Sequence, residues 1–278
     1  MPDLTPGVPS ALSPLVRRVV APNPGLMTGP GTNTYLIGID EVAVVDPGPA
    51  DAGHVQAIVG ASMAERVRWV LLTHTHPDHW PAATMIKAAT GAEILGFGKW
   101  PKADGEVVID RAIGDGDVIE GTEWGLQAIH TPGHAPNHLC FFLEEERVVL
   151  TGDHVLNPMT TVVNPKRGGD MAAYMASLER LRAMRRVRWL LPAHGDVIED
   201  VNGHLDIYLE HRKARERQIL RMVRSGPAKI PDIVAKLYVD TPEGLMDQAA
   251  HQVYAHLLKL KAEGKVSGSG ARGPWKAA

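Results

Sequence analysis

The chain has 278 residues, 44% hydrophobic and 22% charged, with a formal net charge of −3. This is the make-up of an ordinary globular protein, long enough for one large core or for a core plus an appendage, and its acidic balance argues against coating nucleic acid through bulk charge. The single cysteine, Cys140, lies in the apolar run HLCFFL and reads as a buried, inert thiol, which excludes a disulfide framework and a cysteine zinc site. No stretch approaches the roughly 18 uninterrupted apolar residues of a membrane span. The N-terminal MPDLTPGVPSALSPLV has prolines where a signal peptide needs a charged and then a helical region, so a cytoplasmic enzyme is the expectation.

In chain order, TNTYLIGI and EVAVVDPG are short strand-type runs, and DPGPAD stops the second one. AGHVQAIVGASMA has helical spacing and RVRWVLLT is another apolar strand. PAATMIKAATG then reads as a helix with Pro81 at its first position and Gly91 at its stop. Strands return in EVVI, WGLQAIHT, HLCFFLE and RVVLTGD, followed by a helix in DMAAYMASLERLRAM and a strand in RVRWLLPAHGD. Alternating strands and helices, with polar groups gathered at strand ends, mark a layered α/β chain. Composition shifts near residue 204. LDIYLEHRKARERQILRMVRSG, IPDIVAKLYVD and LMDQAAHQVYAHLLKLKAEGKV read as three helices, with a short strand-turn signal and a Gly/Ser-rich tail, SGSGARGPWKAA, after them. This predicts a compact helical appendage of winged-helix type over residues 205–278, behind a catalytic part over 1–204.

The stretch LLTHTHPDHW carries His74, His76, Asp78 and His79 within six positions. Strand alternation would put His74 and His76 on one face, able to present two imidazoles to one cation, with Asp78 and His79 following across the turn at Pro77. A lone histidine here would read as a surface or hydrogen-bonded residue, but four potential ligands at this spacing predict a metal site. Further candidates recur at strand ends: His130, His134 and His138 in HTPGHAPNH, Asp153 and His154 in LTGDH, and His194 and Asp196 in LLPAHGD. These candidates exceed the four ligands of one tetrahedral zinc. They suit two cations about 3.5–4 Å apart that share a carboxylate and a water-derived hydroxide.

The order HTHPDH, TPGH, TGD, PAHG resembles the metallo-β-lactamase superfamily, across about 200 residues. NPGLMTGPGTNTYLIG, TPGHAPNHLCFFLEEERVVLTGD and YLEHRKARERQIL are further similar to its beta-lactamase-like protein 2 subgroup, which includes an endoribonuclease acting on single-stranded RNA. The resemblance implies an αββα sandwich with a small C-terminal winged-helix-like domain. It implies a first metal on His74, His76 and His134, a second on Asp78, His79 and His194, and Asp153 bridging the two. Asp78 would also orient the nucleophile. Two zinc ions per chain are expected, although manganese and iron tolerate the same ligands. The superfamily's glycines after the cluster are replaced by HWPAA, so Trp80 becomes a candidate lining of the entrance, and LNPMTTVV lacks a glycine common in that loop of the subgroup.

The remaining candidates have weaker signals. His154 reads as a hydrogen-bonded neighbour of the site and His130 as structural. His138 either faces the substrate or belongs to its strand. Asp46 in VVDPG either orients a metal-bound imidazole or caps a turn. Asn33 and Thr34 read as turn residues, and His204, His211, His251 and His256 as solvated or packed residues of the appendage.

Two substrate classes fit such a site: a small carbonyl compound (ester, thioester, lactone or lactam) or a phosphodiester in single-stranded RNA. From residue 204 onward there are 13 Lys/Arg and 8 Asp/Glu, a balance of +5, which leaves −8 for the part that bears the site. RNA would therefore have to be held by the appendage. The acidity of the rest and the 5% aromatic content favour a small-molecule substrate. A third reading, a metal-bearing interaction scaffold without turnover, is disfavoured by the complete ligand set.

Overall fold

Burial on both faces organises the first sheet. In β4 (Glu41–Val45), Val42 and Val44 face one way and Ala43 and Val45 the other, and in β5 (Arg66–Leu71) Val70 opposes Trp69 and Leu71. A strand apolar on both faces must be covered on both. The computed structural model, which describes residues 4–99, 105–268 and 270–278, shows how. Residues 1–3 of the proline-rich N-terminal stretch and Ser269 of the tail lie outside the described residues.

β1 (Ser10–Ala11), β2 (Val16–Val20), β3 (Asn33–Ile37), β4, β5, β6 (Glu93–Phe97) and β7 (Arg111–Ile113) form a seven-stranded sheet in chain order, parallel from β4 to β7. β8 (Val118–Glu120), β9 (Gly125–His130), β10 (Leu139–Leu143), β11 (Val148–Gly152) and β12 (Trp189–Pro192) form a second sheet in the order β12-β11-β10-β9-β8. Val45, Leu71 and Leu95 of the first sheet meet Leu126, Phe141, Leu150 and Leu191 of the second in one apolar core. On the other face, Val44, Val70 and Ile94 pack beneath Ile58 of α1 (Ala52–Gly60) and Ile86 of α2 (Ala83–Thr90). α1 starts where it does because Asp51 caps it, its side chain accepting from the His54 amide at 2.7 Å.

By its internal contacts the chain divides into two units: one of residues up to 131, 137–161 and 184–201, the other of 132–136, 162–183 and 202–278. The second unit contains α3 (Met171–Ala183), most of α4 (Val201–Arg224), α5 (Ile230–Leu237), α6 (Met246–Ala262) and the hairpin of β13 (Val266–Gly268) and β14 (Trp275–Ala277). Its core gathers Ile219, Val223, Ile233, Val253, Leu257, Leu260 and the fully buried Trp275. No helix of the described residues is long and apolar enough to cross a membrane.

Four local expectations are corrected. EVVI forms no strand: Val107 and Ile109 pack into the outer core from a loop, and the pairing partner of β6 is the later β7. Pro81 precedes α2 instead of opening it, since the cap is Ala82. SGSGARGPWKAA is more than a tail, because Trp275 is bonded to Ala228 in both directions, at 2.8 and 2.9 Å. Finally, β5 ends at Leu71, so His74 and His76 stand on a loop. The Thr73 amide turns aside to the Asp46 carboxylate, and its carbonyl is taken by the Leu139 amide.

Candidate metal centre

Three loops leaving the strand ends of the first unit converge: 72–79 after β5, 153–154 after β11 and 193–196 after β12. The donor atoms of Asp78, His79, Asp153 and His194 all lie within 4.8 Å of one another, and those of His74, His76 and Asp153 do likewise. His79 Nε2 is 3.4 Å from Asp78 Oδ2 and 3.6 Å from Asp153 Oδ1, while His194 Nε2 is 3.2 Å from the same two oxygens. His74 Nε2 is 2.9 Å from His76 Nδ1 and 4.0 Å from Asp153 Oδ2.

Each imidazole is aimed by what holds its other nitrogen. Asp46 can only accept, so His79 Nδ1–H donates to its Oδ2 at 2.9 Å and Nε2 is turned inward with its lone pair. Thr73 gives its hydroxyl proton to the same oxygen at 2.7 Å, so Thr73 Oγ1 accepts from His74 Nδ1 at 3.0 Å and His74 is aimed likewise. His194 Nδ1–H donates to the Gly31 carbonyl at 3.2 Å. Asp46 itself is buried in a left-handed conformation, φ 50°, and accepts a third bond from the Thr73 amide at 2.8 Å.

This arrangement fits a divalent cation. Donors about 2.1 Å from a tetrahedral zinc stand about 3.4 Å apart, the spacing found around His79 and His194. The buried His79 Nε2 makes no hydrogen bond, although two carboxylate oxygens face it. Burial alone would push the His79 and His194 pKa values down, but the carboxylates of Asp78 and Asp153 around them win and raise both. Burial would likewise raise that of Asp78, and His79 and His194 hold it well below the usual carboxylate range instead. Groups that compete this strongly for positive charge are suited to share a metal ion.

The other candidates have different surroundings. His134 sits in the 132–136 turn of the second unit, its Nδ1–H donating to the Val162 carbonyl at 2.6 Å, which leaves Nε2 as its outward donor. His138 is not a cleft residue. It is fully buried, with Nδ1 on the Thr131 hydroxyl and Nε2 accepting from the Asp153 amide at 3.2 Å, and so supports the loop that carries Asp153. His154 is buried beside it, ring centroids 5.6 Å apart. Trp80 packs its ring against the core beneath α1 and α2. Asp196 pairs with the fully buried Arg18 at 3.3 Å, and His130 stacks on Phe97.

Several supports carried no sequence signal of their own. Asn33 Nδ2 donates to the carbonyls of Pro192 and Gly195, both at 2.8 Å, and Tyr35 Oη donates to that of Pro192, so β3 clamps the His194 loop on both sides. Gly195 has φ 84°, and a Cβ there would lie 1.6 Å from the Asn157 carbonyl oxygen, so no other residue fits. The only hint of such a role was a run of three polar residues, Thr32 to Thr34, opening an otherwise apolar strand. All three are buried.

Residues 27–194 match the metallo-beta-lactamase superfamily, and residues 230–275 match the beta-lactamase associated winged helix domain. The chain is 34% identical to the "Beta-lactamase-like protein 2 homolog" of Caenorhabditis elegans, over 96% of this chain and 91% of that one. It is 30% identical to the "Atrochrysone carboxyl ACP thioesterase dmxR1" of Cryptosporiopsis sp. (strain 8999), over 92% and 82%. In fold it is similar to a metallo-beta-lactamase family protein from Thermus thermophilus, with a TM-score of 0.80 at 24% identity, over 96% of this chain and all of that one.

Proposed function

The chain belongs to the metallo-beta-lactamase superfamily and is a metal-dependent hydrolase; on that premise we propose that it uses two zinc ions to hydrolyse a small thioester. The observation that carries the metal part is the inward aim of His79 and His194 at two shared carboxylates, Asp78 and Asp153. His74, His76 and His134 would hold one ion and Asp78, His79 and His194 the other, with Asp153 between them. Zinc, when bound, supplies Lewis acidity and a water of lowered pKa. The thioester is favoured among small carbonyl substrates because a thioesterase is among the relatives matched along nearly the whole chain.

The chain's own residues do the rest. Asp46, Thr73 and Gly31 keep His79, His74 and His194 in the tautomer that points Nε2 inward, so no reorganisation is needed when substrate arrives. The Asp78 side chain keeps 31% of its surface exposed, against 12% for Asp153. It can therefore meet substrate and water and, by accepting a hydrogen bond, orient the attacking water toward the carbonyl carbon. Its depressed pKa keeps it ionised for that task.

The test is thiol release from a simple acyl thioester by the zinc-loaded protein beside its Asp78→Ala variant. Turnover that falls by roughly 10²-fold or more in the variant is expected. A second reading, cleavage of single-stranded RNA held by the C-terminal region, rests on that region's balance of +5. Labelled single-stranded RNA belongs in the same experiment. RNA cut by the parent but not by the variant, with thioesters untouched, would replace the first reading with the second.

A further inference from the structure

Three consecutive residues at the start of β10, Asn137, His138 and Leu139, each reach a different part of the two loops that carry His74, His76 and Asp153. All of these residues belong to the first unit. The Leu139 amide donates to the Thr73 carbonyl at 2.7 Å, just before His74. Asn137 Nδ2 donates to Thr75 Oγ1 at 2.9 Å, between His74 and His76, and both partners are buried. The Asp153 amide donates to His138 Nε2 at 3.2 Å. That amide lies one residue beyond the end of β11, and it takes its acceptor from a side chain instead of from a strand.

His138 can accept only on a nitrogen that carries no proton, so its proton sits on Nδ1, 2.9 Å from the Thr131 hydroxyl. That hydroxyl lies 3.3 Å from Cys140 Sγ, and the thiol donates to the Thr151 carbonyl of β11 at 3.7 Å. Each donor is thereby assigned: His138 to Thr131, Thr131 to Cys140 and Cys140 to Thr151, all four residues being fully buried. Gly152, at φ 50°, brings the end of β11 onto the same ring. A Cβ there would lie 2.6 Å from His138 Nε2 and 2.8 Å from Thr73 Oγ1.

We infer that Asn137 and His138 are positioning residues of the metal centre, neither of them a ligand. His138 fixes the backbone of Asp153, Asn137 fixes the segment between His74 and His76, and the Leu139 amide ties Thr73 to the same strand. The buried thiol of Cys140 and the Thr131 hydroxyl keep His138 in the tautomer that accepts. This rests on the zinc reading above and needs of it only His74, His76 and Asp153.

Zinc stoichiometry and affinity, measured by competition with a chromophoric chelator, test it without recourse to turnover. The visible spectrum of the cobalt-substituted protein reports the geometry of each site. His74→Ala is the reference and is expected to lose one of two ions. Asn137→Ala is expected to weaken that same ion by roughly 10- to 100-fold, the range for residues that orient a ligand, with the other ion unchanged. His138→Leu is expected to weaken both ions, since Asp153 is shared between them, and to shift the cobalt bands. His138→Gln, whose side-chain carbonyl can accept from the Asp153 amide, is expected to restore the affinity and the spectrum of the parent. A folded His138→Leu or Asn137→Ala that binds both ions like the parent, while His74→Ala loses one, overturns the role of that residue and leaves the zinc reading standing. A loss in His138→Leu that His138→Gln does not recover overturns the acceptor role in the same way. If the parent binds no zinc, or His74→Ala binds two ions like the parent, the reading and the inference fall together. Should His138→Leu fail to fold, Asn137→Ala decides: one weakened ion supports the inference and two unchanged ions overturn it.

Discussion

Asp46 accepts three hydrogen bonds, from the Thr73 amide, the Thr73 hydroxyl and His79 Nδ1, and only a carboxylate can accept all three. In Asp46→Asn, the amide NH2 must face at least one of these donors in a buried place, and the His79 ring is the partner with freedom to turn. Zinc affinity is therefore expected to fall by roughly 10- to 100-fold in a chelator competition, while the shape of the side chain is kept. Unchanged affinity would mean that His79 is aimed by something other than Asp46. The residues that a reader of the sequence finds first, His74 to His79, are those whose chemistry is local, packed into six positions. Asp46 and Gly31 meet the histidines they aim, and Asn33 the loop that carries His194, only across strands, 33 to 163 residues away. Nothing in a turn such as VVDPG distinguishes a cap from a ligand's partner until the sheet has brought Thr73 and His79 beside it.

At the scale of elements, α1 carries a buried group that responds to pH. His54 Nε2 meets Thr34 Oγ1 at 2.9 Å, and Thr34 in turn donates to the Asp46 carbonyl at 2.7 Å, so His54 is held neutral between α1 and β3. Burial drives its pKa from 6.5 down to about 4. A folded-state pKa below the unfolded value means that the unfolded chain binds the proton first. The stability is whole above about pH 6.5 and is lost as pH falls toward about 4. Between pH 7 and about pH 5 this group alone should remove about 2 kcal/mol, read as a lower urea midpoint. In His54→Gln, which keeps a donor for Thr34, that part of the slope should vanish; an equally steep slope in the variant would assign it to other groups. The elements themselves were legible where period and length agreed, as in EVAVV and RVRWVL, whose two-sided burial requires layers on both faces. They were illegible where pairing is non-local. Trp275 looks like part of a flexible tail because its backbone partner, Ala228, is 47 residues earlier, and EVVI looks like a strand although the edge of the sheet pairs with the three residues after it.

For the whole molecule, the charge balance and the metal site bear on each other. The part of the chain before residue 204 carries −8, and Asp78 and Asp153 concentrate two of those charges beside buried imidazoles. Without a cation, folding must bring these carboxylates together with only imidazole protons to offset them; with one, the same groups become stabilising. An ion that binds the folded chain and not the unfolded one stabilises by about 2.7 kcal/mol when present at about a hundred times its dissociation constant. For a cooperative unit of this size that is worth roughly 5–10 °C. Scanning calorimetry with saturating zinc and then with excess chelator should therefore differ by about that much in the transition of the unit that holds His79 and His194. The direction with pH follows from the same groups: the His79 and His194 imidazoles are raised above the ordinary 6.5, so protons compete with zinc from above that pH and the gain should shrink as pH falls through it. His79→Ala should lose most of the zinc-dependent shift, read against the variant's own chelator-treated transition. Identical transitions with and without zinc would remove metal binding from the account of this centre. A shift that survives in His79→Ala undiminished would place the ion that matters for stability on His74 and His76 instead.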